Sequence, residues 1–178
     1  MLSNGRSLQA VQYKPFHITL PDSFCDRIIK ENESLDIIDG TVESKDENRR
    51  SSKISWIPKD KFPKELPQCI DSANKLYNFS LHEFESLQYS RYEEGDHYDW
   101  HVDNHSKPYN NGMIRKLSFS ICLNDEFEGG GLQIWNTKIP AKKGRMVIFP
   151  SFAAHRVLEF DKKDRYTMIT FIQGNTFK

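Results

Sequence analysis

The chain has 178 residues, and 25 basic residues balance 25 acidic ones, for a formal net charge of zero. A protein that grips phosphate backbones usually carries a basic excess, so nucleic acid is not an expected partner. No apolar run exceeds five residues, against the ~20 that a membrane helix needs; with no apolar signal core in MLSNGRSLQA and no CxxC pair among Cys25, Cys69 and Cys122, the expectation is a cytoplasmic protein with reduced thiols.

The first part of the chain reads as mixed α and β. Pro21-Asp22-Ser23 precedes FCDRIIKENE, where Phe24, Ile28 and Ile29 share a helical face and Asp22 or Ser23 can cap the start. Residues 41–52, TVESKDENRRSS, contain one apolar residue and read as an exposed, mobile loop that orders over a bound substrate. KISWI follows as a short strand, and Pro58 to Pro67 is a proline-punctuated connection. Leu66, Ile70, Ala73, Leu76 and Tyr77 recur at helical spacing, which predicts a second helix over roughly 64–78. After Phe84 the segments become short, β-branched or aromatic: FESLQYSRY, HYDWHVD, RKLSFSICLN, GLQIWN, RMVIFP, AAHRVLEF and RYTMITFIQG. Turn signals at regular intervals between them suggest an all-β sandwich or barrel. The fold class expected is mainly β, a jelly roll over 84–173 with supporting helices from 1–83, all in a single domain over 1–178.

Within Tyr98-Asp99-Trp100-His101-Val102-Asp103, His101 and Asp103 are two apart and on a strand would share a face. His155 is the other histidine in a strand-like setting. Two imidazoles and one carboxylate on one face of a metal leave three positions open, which is the donor set of non-haem Fe(II) oxygenases. HxD alone is a common pair, and His97 and His105 flank it as decoys. Arg165, ten residues after His155, offers a planar fork for a carboxylate, and Thr167 on the same strand face adds a hydroxyl. Arg165 by itself reads better as a surface arginine at a hairpin end.

Taken in order, RRSSKISWI (49–57), RYEEGDHYDWHVDN (91–104), RKLSFSICLND (115–125), EGGGLQIW (128–135), KKGRMVIFPS (142–151), AHRV (154–157) and RYTMITF (165–171) resemble the 2-oxoglutarate and Fe(II)-dependent dioxygenases of the prolyl 4-hydroxylase type, especially the hypoxia-sensing branch and its bacterial relatives. The resemblance implies His101, Asp103 and His155 as iron ligands and Arg165 as the partner of the distal carboxylate of 2-oxoglutarate. It implies Tyr92, Thr167 and Cys122 in the cosubstrate pocket, and Arg50, Trp56, Tyr98 and Arg115 near the substrate. Gly129 and Gly130 match a double glycine that opens a core strand. Cys122 stands where the hypoxia-sensing branch has a tyrosine, so Ser120 or Thr167 would have to supply that hydroxyl, and Ser52 replaces an acidic residue of the entrance loop.

The implied cofactors are Fe(II), 2-oxoglutarate and O2, with ascorbate as an addition. The implied reaction hydroxylates a C–H bond, with release of succinate and CO2. The first substrate choice is a prolyl residue in a peptide or protein. The alternatives are a free amino acid or other small molecule, or a non-catalytic jelly-roll binding module. The presence of Asp103 argues against a halogenase. A monomer or weak dimer, with no membrane partner, is expected.

Overall fold

The computed structural model describes residues 13–33, 38–39, 50, 52–58, 61–105, 107–161 and 163–177. The expected loop over 41–52 therefore lies outside the described residues, apart from Arg50 and Ser52.

Two helices, α1 (Asp22–Asn32) and α2 (Leu66–Tyr77), accompany fourteen strands among the described residues. The large sheet contains β1 (Phe16–Thr19), β2 (Ile38–Asp39), β3 (Lys53–Ile57), β4 (Leu81–Phe84), β5 (Leu87–Tyr92), β7 (Met113–Cys122), β11 (Arg145–Pro150) and β14 (Arg165–Asn175). Its order is β1-β11-β7-β14-β5-β3-β2, with β4 also paired to β14. The facing sheet contains β6 (Tyr98–His101), β9 (Leu132–Ile134), β10 (Thr137–Ile139) and β12 (His155–Val157), in the order β10-β9-β12-β6. A small ribbon pairs β8 (Glu128–Gly129) with β13 (Phe160–Asp161). This is the jelly roll the sequence predicts.

The central strands β5, β7, β11 and β14 are largely buried on both faces, and the alternation of their side chains sorts them by layer. On β7, Leu117, Phe119 and Ile121 join the core shared with the helices, where they meet Phe24, Ile28, Leu66, Ile70, Met146, Ile148, Met168 and Ile172. Ser118 and Ser120, the alternate residues, face the other sheet and line the cleft between the sheets. A second cluster, with Tyr92, Leu132, Ile134, Val147, Phe149 and Val157, packs the two sheets against each other.

Beyond the two helices and the KISWI strand (β3) expected of it, the N-terminal third supplies β1, β2 and β4, because its short apolar runs find partners in the large sheet that are distant in sequence. Tyr77 at the end of α2 fastens β1. Its hydroxyl accepts from Phe16 N at 3.0 Å and lies 2.7 and 2.9 Å from the carbonyls of Lys14 and Ile148, and burial pushes its pKa up to about 12. Helix α1 starts at Asp22 behind Pro21 and makes no side-chain cap bond, so neither Asp22 nor Ser23 caps it as expected. Gly129 and Gly130 both have positive φ, at 78° and 69°, as the turn into the second cluster requires. Among the described residues no helix is long and apolar enough to cross a membrane.

Ile121 is fully buried between Met146 of β11 and Met168 of β14. Ile121→Ala should lower stability by about 2–5 kcal/mol, since a cavity in a close-packed layer relaxes only in part. Urea unfolding of the variant against the parent chain measures it.

Candidate active site

The cleft between the sheets has a volume of about 750 Å³, within the usual size range of small-molecule sites. At one end lie His101, Asp103 and His155. Their ligand atoms all fall within 4.8 Å of one another, the single such His/Cys/Asp/Glu group among the described residues. His101 Nε2 is 3.6 Å from Asp103 Oδ1, and His155 Nε2 is 3.4 Å from Asp103 Oδ2.

The two histidines face each other as a cross-strand pair of β6 and β12. Their Nδ1 atoms lie against backbone carbonyls, His101 at 2.7 Å from Asp99 O and His155 at 2.9 Å from Ala153 O. With Nδ1–H donated there, each Nε2 lone pair turns inward, the tautomer a metal requires. Burial, with His155 alongside, pushes the His101 pKa down to about 4, so this ring is neutral at pH 7. Tyr98 stacks on it at 3.5 Å, and Phe149 meets His155 edge-on at 4.7 Å.

Asp103 is not on the strand, although the alternation argument put it there. β6 ends at His101, and the next turn is held by the N–H groups of Asp103 and Asn104 donating to Ser151 O at 2.9 and 3.2 Å. Asp103 thus reaches the histidines by a turn rather than by strand periodicity. His105 lines the cleft outside the triad, and His97 lies outside both.

At the other end of the cleft sit Arg165, Thr167 and Tyr92. β14 places Arg165 opposite Tyr92 of β5, and Thr167 opposite both Ser90 and Cys122. Arg165 is 2% exposed, and its guanidinium carbon lies 5.4 Å from the Tyr92 ring centroid. Arg165 Nε and Nη1, Tyr92 OH and Thr167 Oγ1 are buried without a hydrogen-bond partner. Buried polar atoms are normally paired, so four in one corner, two of them on a guanidinium, form a cradle for an anion rich in acceptors. Ser120 lines the same wall. Cys122 does not line the cleft. It borders a separate water-sized cavity behind Arg165 and donates its thiol to Asn124 O at 3.1 Å.

Among the residues expected near the substrate, Arg50 bridges to Tyr98, with its guanidinium carbon 5.1 Å from that ring. Its Nε donates to Ser52 Oγ at 2.8 Å. Trp56 is half exposed at the cleft wall. Arg115 is differently engaged. It grips Glu85 with two bonds of 2.8 and 2.6 Å, donates to Asp103 O at 3.2 Å, and stacks on Phe171 at 3.6 Å. Sequence reasoning missed Glu85. Burial would raise its pKa, but the hydrogen bonds and charge of Arg115 outweigh that and hold it below the usual carboxylate range. The one available signal was a carboxylate between Phe84 and Leu87, and nothing local points to a partner 30 residues away.

Residues 87–173 match the 2OG-Fe(II) oxygenase superfamily. A PKHD-type hydroxylase of Synechococcus is 34% identical over 121 residues, covering 61% of this chain and 53% of that protein. One from Gluconobacter oxydans is 29% identical over 160 residues, covering 80% and 69%. The chain spans about half the length of the Synechococcus relatives it matches. Among solved structures, a Pseudomonas putida prolyl-4-hydroxylase superposes with a TM-score of 0.70 at 19% identity, over 93% of this chain and 95% of the other. A Trichoplax adhaerens prolyl hydroxylase, in complex with a hypoxia inducible factor peptide fragment, gives 0.66 at 21%, over 90% and 84%. Residues 87–173 thus belong to a 2OG-Fe(II) oxygenase domain. Its relatives are of the prolyl 4-hydroxylase type, and the superfamily implies Fe(II), 2-oxoglutarate and O2 as its reaction partners.

His101→Ala, Asp103→Ala and His155→Ala should each abolish stoichiometric Mn(II) binding in calorimetry, whereas His105→Ala should keep it. Glu85→Gln should weaken Mn(II) binding by about 10-fold, the lower end for loss of a residue that orients a ligand, because Arg115 then loses its hold on the Asp103 backbone.

Proposed function

We propose that this chain hydroxylates a C–H bond of a prolyl residue in a peptide or protein, using Fe(II), 2-oxoglutarate and O2. The observation that carries the reading is the pairing of the two ends of one cleft. A two-histidine, one-carboxylate set lies at one end, and a buried arginine with two unpaired N–H groups at the other.

The donor set fits Fe(II). It offers two neutral imidazoles and a carboxylate with their ligand atoms converging, and leaves three positions open. The opposite cradle fits the distal carboxylate of 2-oxoglutarate, which would receive two N–H donors from Arg165 and hydroxyl donors from Tyr92 and Thr167. When bound, iron and 2-oxoglutarate supply the oxidising chemistry: the ketoacid is decarboxylated to succinate and CO2, and one oxygen atom of O2 becomes the substrate hydroxyl.

The protein's own residues bind, orient and exclude water. Asp99 O and Ala153 O fix the ring orientation of His101 and His155. Arg115 and Ser151 hold the Asp103 backbone. Phe149, Leu132 and Val157 line the cleft wall near the histidines and keep it apolar. Arg50, Tyr98 and Trp56 would meet the peptide at the mouth. The peptide-prolyl choice is supported by the prolyl hydroxylase likeness and by this cation beside aromatic rings, with Trp56 exposed among them. The partnerless Arg165 speaks against a binding module that merely retains the residues, since its burial costs free energy without an anion to offset it.

Mass spectrometry of proline-containing peptides incubated with the chain, Fe(II) and 2-oxoglutarate should show a gain of one oxygen atom on proline. Oxygenation of free proline alone would favour the small-molecule reading. Arg165→Ala should raise the 2-oxoglutarate requirement roughly 30-fold or more, from a loss of about 2–5 kcal/mol, with Mn(II) affinity unchanged. Arg165→Lys should fall between the two, because it keeps the charge and loses the fork. An Arg165→Ala variant with an unchanged requirement, followed by succinate formation, would remove the basis for the cradle.

A further inference from the structure

We propose that the chain docks an acidic, extended peptide segment of another protein in a second cleft, where both sheets come to an end. β1 is the last strand of the large sheet and β10 the last of the facing sheet, and among the described residues no strand pairs with the outer edge of either. An unpaired edge presents a row of N–H and C=O groups, a template for one more strand. Residues of both edge strands line one cleft of about 800 Å³, bordered by Tyr13, Lys14, His17, Trp135, Lys138 and Arg145.

The charge of this cleft is one-sided. Lys14, Lys138 and Arg145 bring three cations and His17 an imidazole, while among the described residues no Asp or Glu lines it. Arg145 uses Nη1 on Pro140 O at 2.7 Å. Lys14, His17 and Lys138 are exposed, and their side chains enter no hydrogen bond or ion pair with another described residue. In a chain with zero net charge, such local segregation favours an acidic partner.

A separate observation marks the same place. Ile134 pairs with Thr137, so Trp135 and Asn136 form a two-residue hairpin turn. Trp135 there has φ +48°, a left-handed backbone that such turns usually give to glycine or asparagine. The bond from Trp135 N to Ala154 O at 2.8 Å holds it. The half-buried indole packs on the inter-sheet cluster and also walls the cleft. A large aromatic at a strained turn points to use of its ring.

Edge strands, cations and aromatic walls together match β-strand addition. In that mode the main chain of the guest bonds to the edge, and its alternate side chains select the partner. A lone anion would use the cations but neither edge.

The test is titration of the isotope-labelled full chain with a capped hexapeptide of alternating Glu and Val, followed by amide chemical shifts. Saturable shifts should appear in Phe16–Thr19 and Thr137–Ile139. A Lys/Val hexapeptide should produce none, and the Lys14→Glu/Lys138→Glu double variant should weaken binding at least tenfold with 2-oxoglutarate turnover unchanged. The proposal is overturned by any of several outcomes: no shifts at either edge, unchanged affinity in the double variant, shifts confined to the mouth of the main cleft, or the same edge shifts with inorganic tripolyphosphate. The last would reassign the cleft to simple anions.

Discussion

The structure depends on a buried arginine. Arg165 sits at 2% exposure, with Nε and Nη1 lacking a partner. A buried charge with no counter-charge costs several kcal/mol, and its approach to the Tyr92 ring returns only part of that, about 2 kcal/mol for a desolvated contact. The fold carries this cost because β14 pairs with β5, β7 and β4. The same pairing that makes β14 the spine of the large sheet puts the guanidinium at the closed end of the cleft. An anion delivered there would relieve the burial penalty and gain a bidentate contact at once, so binding and stability draw on one interaction.

The histidines belong to the other sheet, and the distance between the two ends of the cleft is therefore a sheet-to-sheet distance. It is set by the cluster of Leu132, Ile134, Val147, Phe149 and Val157, which packs one sheet on the other. Asp103, on the turn after β6, has the least secondary structure to hold it. Arg115 compensates from the large sheet, reaching the Asp103 carbonyl while Glu85 takes two of its donors. The triad is thus built on one sheet and braced from the other.

Much of this was legible in the sequence. The strand segments after Phe84, both helices, His101, Asp103, His155 and Arg165 follow from periodicity, residue chemistry and the ordered likeness of the segments. Two kinds of feature were not legible. β1 and β4 are short and lie beside helical sequence, so their strand character comes from distant partners rather than from local pattern. Glu85 and Arg115 pair across 30 residues, and no local periodicity marks such a brace. Arg115, expected at the substrate, has most of its donors engaged by the protein. Cys122 lies on the expected strand, but at the far side of Arg165 from the cleft. The family likeness placed it in the cosubstrate pocket, whereas its depth beyond the guanidinium depends on the registers of β7 and β14.

Strands buried on both faces explain why foldability and chemistry coexist in so small a sheet. On β5, β7, β11 and β14 the helix-facing positions are mainly apolar, as in Leu87, Tyr89, Leu117, Phe119, Ile121, Met146, Ile148, Met168 and Ile172. The alternate positions include Gln88, Ser118, Ser120, Arg165 and Thr167, polar residues of low exposure that line the cleft. A parity of two separates them, so one face can be optimised for packing while the other keeps groups that packing alone would reject. The polar face is tolerable because the apolar face supplies the burial that holds the sheet together. This is also why the pattern L-S-F-S-I in β7, hydrophobic and small-polar by turns, marks a cleft wall rather than a solvent-facing strand: Ser118 and Ser120 are nearly as buried as the residues between them.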